Sequence, residues 1–168
     1  MARSPDRLIA EAVVIDCADA VRGDPEHRLT TAEVAGWEQA HGRVPEGAWV
    51  LVRTGWLAER WHDPARYANA DAAGALRHPG VHPDAARLLV DRGVAGVGID
   101  TLSPDNAAPS DVRSPTHQVL LGADRLVMEN LANLERLPAS DILLVIGALP
   151  VVDGTAGPAR VLALAPPA

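Results

Sequence analysis

Pro83-Asp84-Ala85-Ala86-Arg87-Leu88-Leu89-Val90-Asp91-Arg92-Gly93, followed at once by Val94-Ala95-Gly96-Val97-Gly98-Ile99-Asp100, reads as a helix handing over to a strand. Proline suits the first helical position because the amide it lacks would have no partner there. Asp84 favours the positive end of the helix dipole, and Gly93 supplies the stop. Gly93, Gly96 and Gly98 have a glycine-rich look, but a dinucleotide loop needs its glycines between a strand and a following helix. Here they fall inside the strand and are followed by Asp100 and a loop.

The same alternation continues in both directions. Upstream, residues 12 to 17 (Ala-Val-Val-Ile-Asp-Cys) form a short apolar run typical of a buried strand. The next twelve residues, with Gly23, Asp24 and Pro25, read as a loop. Thr30-Thr31-Ala32-Glu33 fits a capping box and Gly42 fits a stop, which predicts a helix near 31 to 41. Ala48 to Arg53 is a further strand ending at Thr54-Gly55-Trp56, and Trp61, His62, Pro64 and Tyr67 mark a long irregular connection before Pro83. Downstream, the loop Thr101 to Ser114 precedes strands near 125 to 130, 142 to 149 and 160 to 165, with Gly154, Gly157 and Pro158 punctuating the last connection. Alternating strands and helices argue for an α/β domain with a mixed sheet, and no internal repeat is visible.

Composition narrows the class. At 168 residues the chain is expected to be one domain, large enough for a core without disulfides or structural metal. With four Trp, one Tyr and no Phe, that core must be built from Val, Leu, Ile and Ala. Every basic residue is Arg, a pattern of GC-rich coding rather than of function. A net charge of −7 and the lack of a basic run argue against a nucleic-acid partner. Met1 to Ala10 lacks the apolar stretch of a signal peptide, and no window suits a membrane span, so the bacterial cytoplasm is the expected location. Cys17 reads as a small buried hydrophobe rather than a nucleophile. Ser103 and Ser114 lack the context of a nucleophile elbow.

Ser114-Pro115-Thr116-His117-Gln118-Val119-Leu120-Leu121-Gly122, then Leu126-Val127-Met128-Glu129-Asn130-Leu131, carries the chemistry. A glutamate among apolar neighbours needs a partner, and His117 is a candidate. An imidazole and a carboxylate suit Zn2+, or Mn2+ if more oxygen ligands join. The plainer alternative makes His117 a helix-start residue and Glu129 half of an ordinary ion pair with an arginine.

The run Val97-Gly98-Ile99-Asp100-Thr101-Leu102-Ser103-Pro104-Asp105, then His117-x-x-Leu120-Leu121-Gly122, then Glu129-Asn130-Leu131-Ala132-Asn133-Leu134, resembles the cyclase family of metal-dependent hydrolases, which includes bacterial kynurenine formamidase and isatin hydrolase. Agreement extends back through Val50-Leu51-Val52-Arg53-Thr54-Gly55-Trp56 and forward through Gly154-x-x-Gly157-Pro158-x-Arg160-Val161. The resemblance implies a swivelling β/β/α-type domain, a mixed sheet flanked by helices. It also implies that His117 and Glu129, twelve positions apart, help hold a divalent metal, Zn or Mn.

The family's other ligands come from a motif His-x-Gly-Thr-His-x-Asp-x-Pro that normally precedes the Val-Val-Ile-Asp strand. Residues 1 to 168 therefore read as a single cyclase-family domain, amino-terminally truncated relative to the family. A near-copy, His78-Pro79-Gly80-Val81-His82-Pro83-Asp84, has the family's spacing, but its surroundings match a different family stretch at a helix start. Asp100, Ser103 and Trp56 are pocket-lining candidates by position, with turn bonding and packing as the alternative.

For a complete member, the resemblance implies hydrolysis of an amide or strained lactam, with N-formylkynurenine as the leading substrate, giving kynurenine and formate. Three expectations follow. The chain works with a partner or segment that supplies the missing ligands, it is a catalytically silent binding or assembly module, or it exposes core where absent strands should pack and so associates, as a homo-oligomer.

Overall fold

The sheet is built around β1 (Ile9–Asp16), whose residues Ala12, Val13, Val14 and Ile15 are all buried. A strand covered on both faces needs a continuous apolar run rather than alternation, which is how this segment reads. The computed structural model describes residues 7–106, 113–149 and 151–166. Part of the expected loop Thr101 to Ser114 lies outside them.

On one side β1 pairs in parallel with β3 (Trp49–Arg53). This strand pairs in parallel with β5 (Gly96–Ile99), and β5 with β6 (Leu126–Met128). On the other side β1 pairs antiparallel with β7 (Ile142–Ala148), which pairs antiparallel with β8 (Ala159–Leu164). The resulting six-stranded mixed sheet has the order β6-β5-β3-β1-β7-β8.

Because successive side chains on a strand point to opposite faces, the sheet carries two cores. Val13, Ile15, Val50, Val52, Val97 and Ile99 meet Val34 of α2 (Thr31–His41), Leu89 of α5 (Pro83–Asp91) and Leu120 of α6 (Pro115–Gly122). On the opposite face Ala12, Val14, Trp49 and Leu51 meet Ile142, Leu144, Leu131 and Leu134. The fold is the α/β arrangement expected, a curled mixed sheet flanked by helices.

The α2 boundaries and capping box are as read from sequence: Thr30 Oγ1 accepts from Glu33 N, and Glu33 Oε2 accepts from Thr30 N at 2.8 Å. Proline opens α5 and Gly93 follows it at φ 79°. Two expected loops hold more structure. Residues 18 to 29 contain α1 (Ala18–Gly23) and β2 (Arg28–Leu29). The connection before Pro83 contains α3 (Trp56–Arg60), α4 (Pro64–Ala68) and β4 (Gly80–Val81), which pairs with β2. These pieces are too short to propagate alone and are held by tertiary contacts. Trp56 Nε1 donating to Tyr67 O at 2.8 Å is one such contact.

Candidate functional site

The carboxyl ends of parallel strands are where open α/β sheets bind ligands. Asp16 ends β1, Thr54 follows β3, Asp100 follows β5 and Glu129 follows β6, so all four stand at that edge.

Ser114, at φ 50°, makes no side-chain cap for α6. Asp105 does it instead, from across the loop. Its Oδ1 accepts from Thr116 N at 2.7 Å, and its Oδ2 accepts from His117 N at 3.0 Å and from the His117 ring Nδ1 at 2.7 Å. Thr116 Oγ1 donates to Val81 O at 2.7 Å, pinning the first turn of α6 to β4. Asp105 is thus the main anchor of the histidine. Its place at the end of the Val97 to Asp105 run gives no sign of that role.

The other His117 nitrogen, Nε2, lies 3.5 Å from Glu129 Oε1. The structure therefore brings the two sequence-selected residues together. Their side chains are 28% and 34% exposed, while that of Asp105 is 9% exposed, so the anchor is the more enclosed and the pair opens toward solvent. As the chain stands, the hydrogen bond to Asp105 and then that to Glu129 outweigh burial and raise the His117 pKa to about 9. Burial acts to raise the Asp105 carboxyl, but the bonds from the His117 ring and from the Thr116 and His117 amides win and lower it.

Glu129 owes its place to the chain that follows it. Asn130 has φ 59°, its N–H donates to Thr101 O at 2.9 Å, and Leu131 N donates to Ile99 O at 3.1 Å. Tyr67 Oη donates to Asn130 Oδ1. Burial, with Asp100 and Glu129 nearby, pushes the phenol up to about 12, so it stays a neutral donor.

The pocket candidates have structural occupations. Trp56 is 1% exposed and stacks under the Arg60 guanidinium at 3.9 Å, so it is core rather than lining. Asp100 accepts from Thr54 N at 2.9 Å, from Thr54 Oγ1 and from Gly55 N at 2.8 Å, clamping the turn after β3. Ser103 Oγ accepts from Asp105 N at 3.1 Å and so supports the anchor.

The near-copy motif is dispersed. His82 is the N-cap of α5 and accepts from Asp84 N, while Asp84 pairs with Arg87. His78 is fully buried. Its Nδ1 donates to Pro79 O at 2.8 Å, and its Nε2 has no hydrogen-bond partner among the described residues. Burial, against the fields of Glu129 and Asp105, lowers its pKa.

Chemically, the donor set fits a metal. With Nδ1–H committed to Asp105, the tautomer that frees the Nε2 lone pair is selected, the arrangement typical of metal-bound histidines. Two donors 3.5 Å apart can both reach one ion at about 2.0–2.2 Å.

This fold is that of an α/β family, and the sequence comparisons name it. The family model described as Cyclase matches residues 2–106, and the chain belongs to the cyclase family. It is 37% identical over 164 residues to isatin hydrolase of Roseibium aggregatum, a match covering 96% of this chain and 62% of that protein. An isatin hydrolase bound to the product analogue thioisatinate superposes with a TM-score of 0.92 at 35% identity, covering 98% of this chain and 63% of that one. A potential metal-dependent hydrolase with cyclase activity superposes at 0.69 and 28% identity, covering 95% and 67%. The chain thus spans under two thirds of the length of the isatin hydrolases it matches.

Proposed function

We propose that this chain is the greater part of a metal-dependent amide hydrolase, in which His117 and Glu129 are ligands to a divalent ion, Zn or Mn, and Asp105 orients the histidine. The observation that carries the reading is the Asp105–His117–Glu129 arrangement, 2.7 Å on one ring nitrogen and 3.5 Å on the other. Carboxylate–histidine–metal triads are built this way.

When bound, a divalent metal polarises a carbonyl and lowers the pKa of bound water to about 7. The chain's own residues do the positioning. Asp105 orients the ring so that Nε2 faces Glu129, the Tyr67–Asn130 bond fixes the turn that carries Glu129, and Asp100 clamps the turn after β3. Two ligands are fewer than the roughly three of a catalytic zinc. The remaining ligands come from a further segment or from a partner subunit, consistent with the greater length of the relatives.

The substrate is an amide carbonyl attached to an aromatic amine. Similarity to isatin hydrolase puts a strained lactam of the isatin type first, with N-formylkynurenine as the open-chain alternative. The purified chain, alone and supplemented with the amino-terminal segment of a relative, should be titrated with zinc and manganese and assayed on both substrates. Hydrolysis that needs metal and the added segment, and that vanishes in His117→Ala, is the expected result. Metal uptake indifferent to His117→Ala and Glu129→Gln would remove the reading and favour a catalytically silent binding module.

A further inference from the structure

Cys17, His27 and Glu33 stand apart from the donors just described, and their ligand atoms all lie within 4.8 Å of one another. In the sheet order β1, whose end carries Cys17, is three strands from β6, whose end carries Glu129. We propose that these three side chains form a second metal site, specific for a thiophilic divalent ion such as Zn2+.

The site is assembled by three separate pieces of chain. Cys17 is 3% exposed at the end of β1, where its amide donates to Arg53 O at 2.8 Å. His27 sits in a loop fastened by His27 N to Asp24 O, by Glu26 N to Asp24 Oδ1 and by Gly80 N to His27 O. Glu33 is the third residue of α2. Its Oε2 is held by Thr30 N and Thr30 Oγ1 at 2.8 and 2.7 Å, which leaves Oε1 turned to His27 Nε2 at 2.8 Å. One carboxylate oxygen is thus fixed by the capping box and the other is presented with the imidazole, as a ligating carboxylate with its supporting bonds would be.

The charge count favours an ion here. A thiolate, a carboxylate and a neutral imidazole around a dication sum to zero, so the loaded cluster would be neutral in a half-buried place. Without an ion, burial first, and then Glu33, Asp16 and Asp100, push the Cys17 thiol up to about 12, which makes it a poor nucleophile. Loading is an exchange of cations: the thiol proton leaves to solvent as the sulfur–metal bond forms, and no electron is transferred. Sulfur, nitrogen and oxygen donors with one open position match three-ligand zinc. Such an ion would tie β1, the His27 loop and the start of α2 together.

Cobalt(II) is the probe, because a thiolate ligand gives a near-ultraviolet charge-transfer band that the sulfur-free His117–Glu129 pair cannot give. The full chain should develop that band with one equivalent of cobalt, lose it on zinc addition, and keep it in His117→Ala, which separates this proposal from the proposed function. The band should be lost in Cys17→Ala and weakened in His27→Asn. Glu33→Gln, which preserves the cap to Thr30, guards against simple unfolding and should also weaken it. Absence of the band in folded wild-type protein, or its persistence in Cys17→Ala, overturns the proposal.

Discussion

Asp105 and His117 are joined twice, once through the backbone amide at 3.0 Å and once through the ring at 2.7 Å, so one carboxylate both starts the helix and orients its functional side chain. Position and orientation of the imidazole are therefore coupled. A change at Asp105 acts on Glu129's partner without touching Glu129.

Asp105→Asn should leave the fold standing and weaken divalent-metal binding by about 10–100-fold, the usual cost of losing an outer carboxylate behind a metal-bound histidine. Asp105→Ala should in addition cost about 1 kcal/mol through the lost helix cap. Calorimetric metal titration beside urea unfolding resolves the two effects. Equal metal affinity in Asp105→Asn and wild type would show that the carboxylate merely caps α6.

Because the His117 pKa rises to about 9 in the metal-free protein, its protonated ring is stabilising between Asp105 and Glu129. That contribution is complete below the unfolded value of about 6.5 and disappears as pH rises through the folded value. In chelator, the stability gap between wild type and His117→Gln should narrow from about pH 6 upward and close above 9. Metal affinity should run the other way, since the ion competes with that proton. Thermal unfolding across this range checks the first claim, and a gap that stays constant contradicts it.

Tyr67→Phe deletes the donor to Asn130 Oδ1 and loosens the turn at φ 59° that carries Glu129. A net loss of about 1 kcal/mol is expected, with a smaller fall in metal affinity than for Asp105→Asn. Trp56→Ala, by contrast, empties a core position and should cost about 3–5 kcal/mol. If Trp56→Ala altered substrate affinity with stability intact, Trp56 would belong to the pocket and not to the core.

Gly96 and Gly98 look alike in sequence but not in space. A methyl on Gly96 would sit 2.4 Å from the Leu126 carbonyl oxygen and 2.6 Å from the Trp49 ring. On Gly98 it would meet Leu131 Cδ1 at 2.6 Å and Leu51 Cδ2 at 2.9 Å, both ends of side chains that can turn. Gly96→Ala must push β6, and with it Glu129, away from β5. Overpacking costs of about 1–3 kcal/mol are expected, larger for Gly96. Urea midpoints decide, and the reverse order would count against the close β5–β6 approach.

The legible parts of this fold were those specified by neighbours in sequence. The Thr30–Glu33 box, Pro83 and the apolar run Val13-Val14-Ile15 each act over a few residues, and the elements they mark appear where expected. The short α3 and α4 were not legible, because what holds them is Trp56 reaching Tyr67 eleven residues away. His117 and Glu129 stand out as a histidine and a glutamate among apolar neighbours, and the family spacing gives them a role. Asp105 was missed because a carboxylate twelve residues before the histidine announces nothing until the loop between them is closed.

The β7–β8 edge presents an apolar face to solvent. Leu143 opposes Leu164 and Val145 opposes Leu162, while Val145 also faces Ile9 of β1. Ile9, Leu143, Leu162 and Leu164 are 57%, 44%, 56% and 60% exposed, a run of apolar surface across three strands. Such patches are covered in functional proteins. The chain should therefore self-associate with concentration, and Leu143→Glu combined with Leu162→Glu should weaken that association without lowering the unfolding midpoint, since neither side chain is in the core. Sedimentation equilibrium measures it. A wild-type chain that remains monomeric at high concentration would mean this face is not apolar enough to drive pairing of copies.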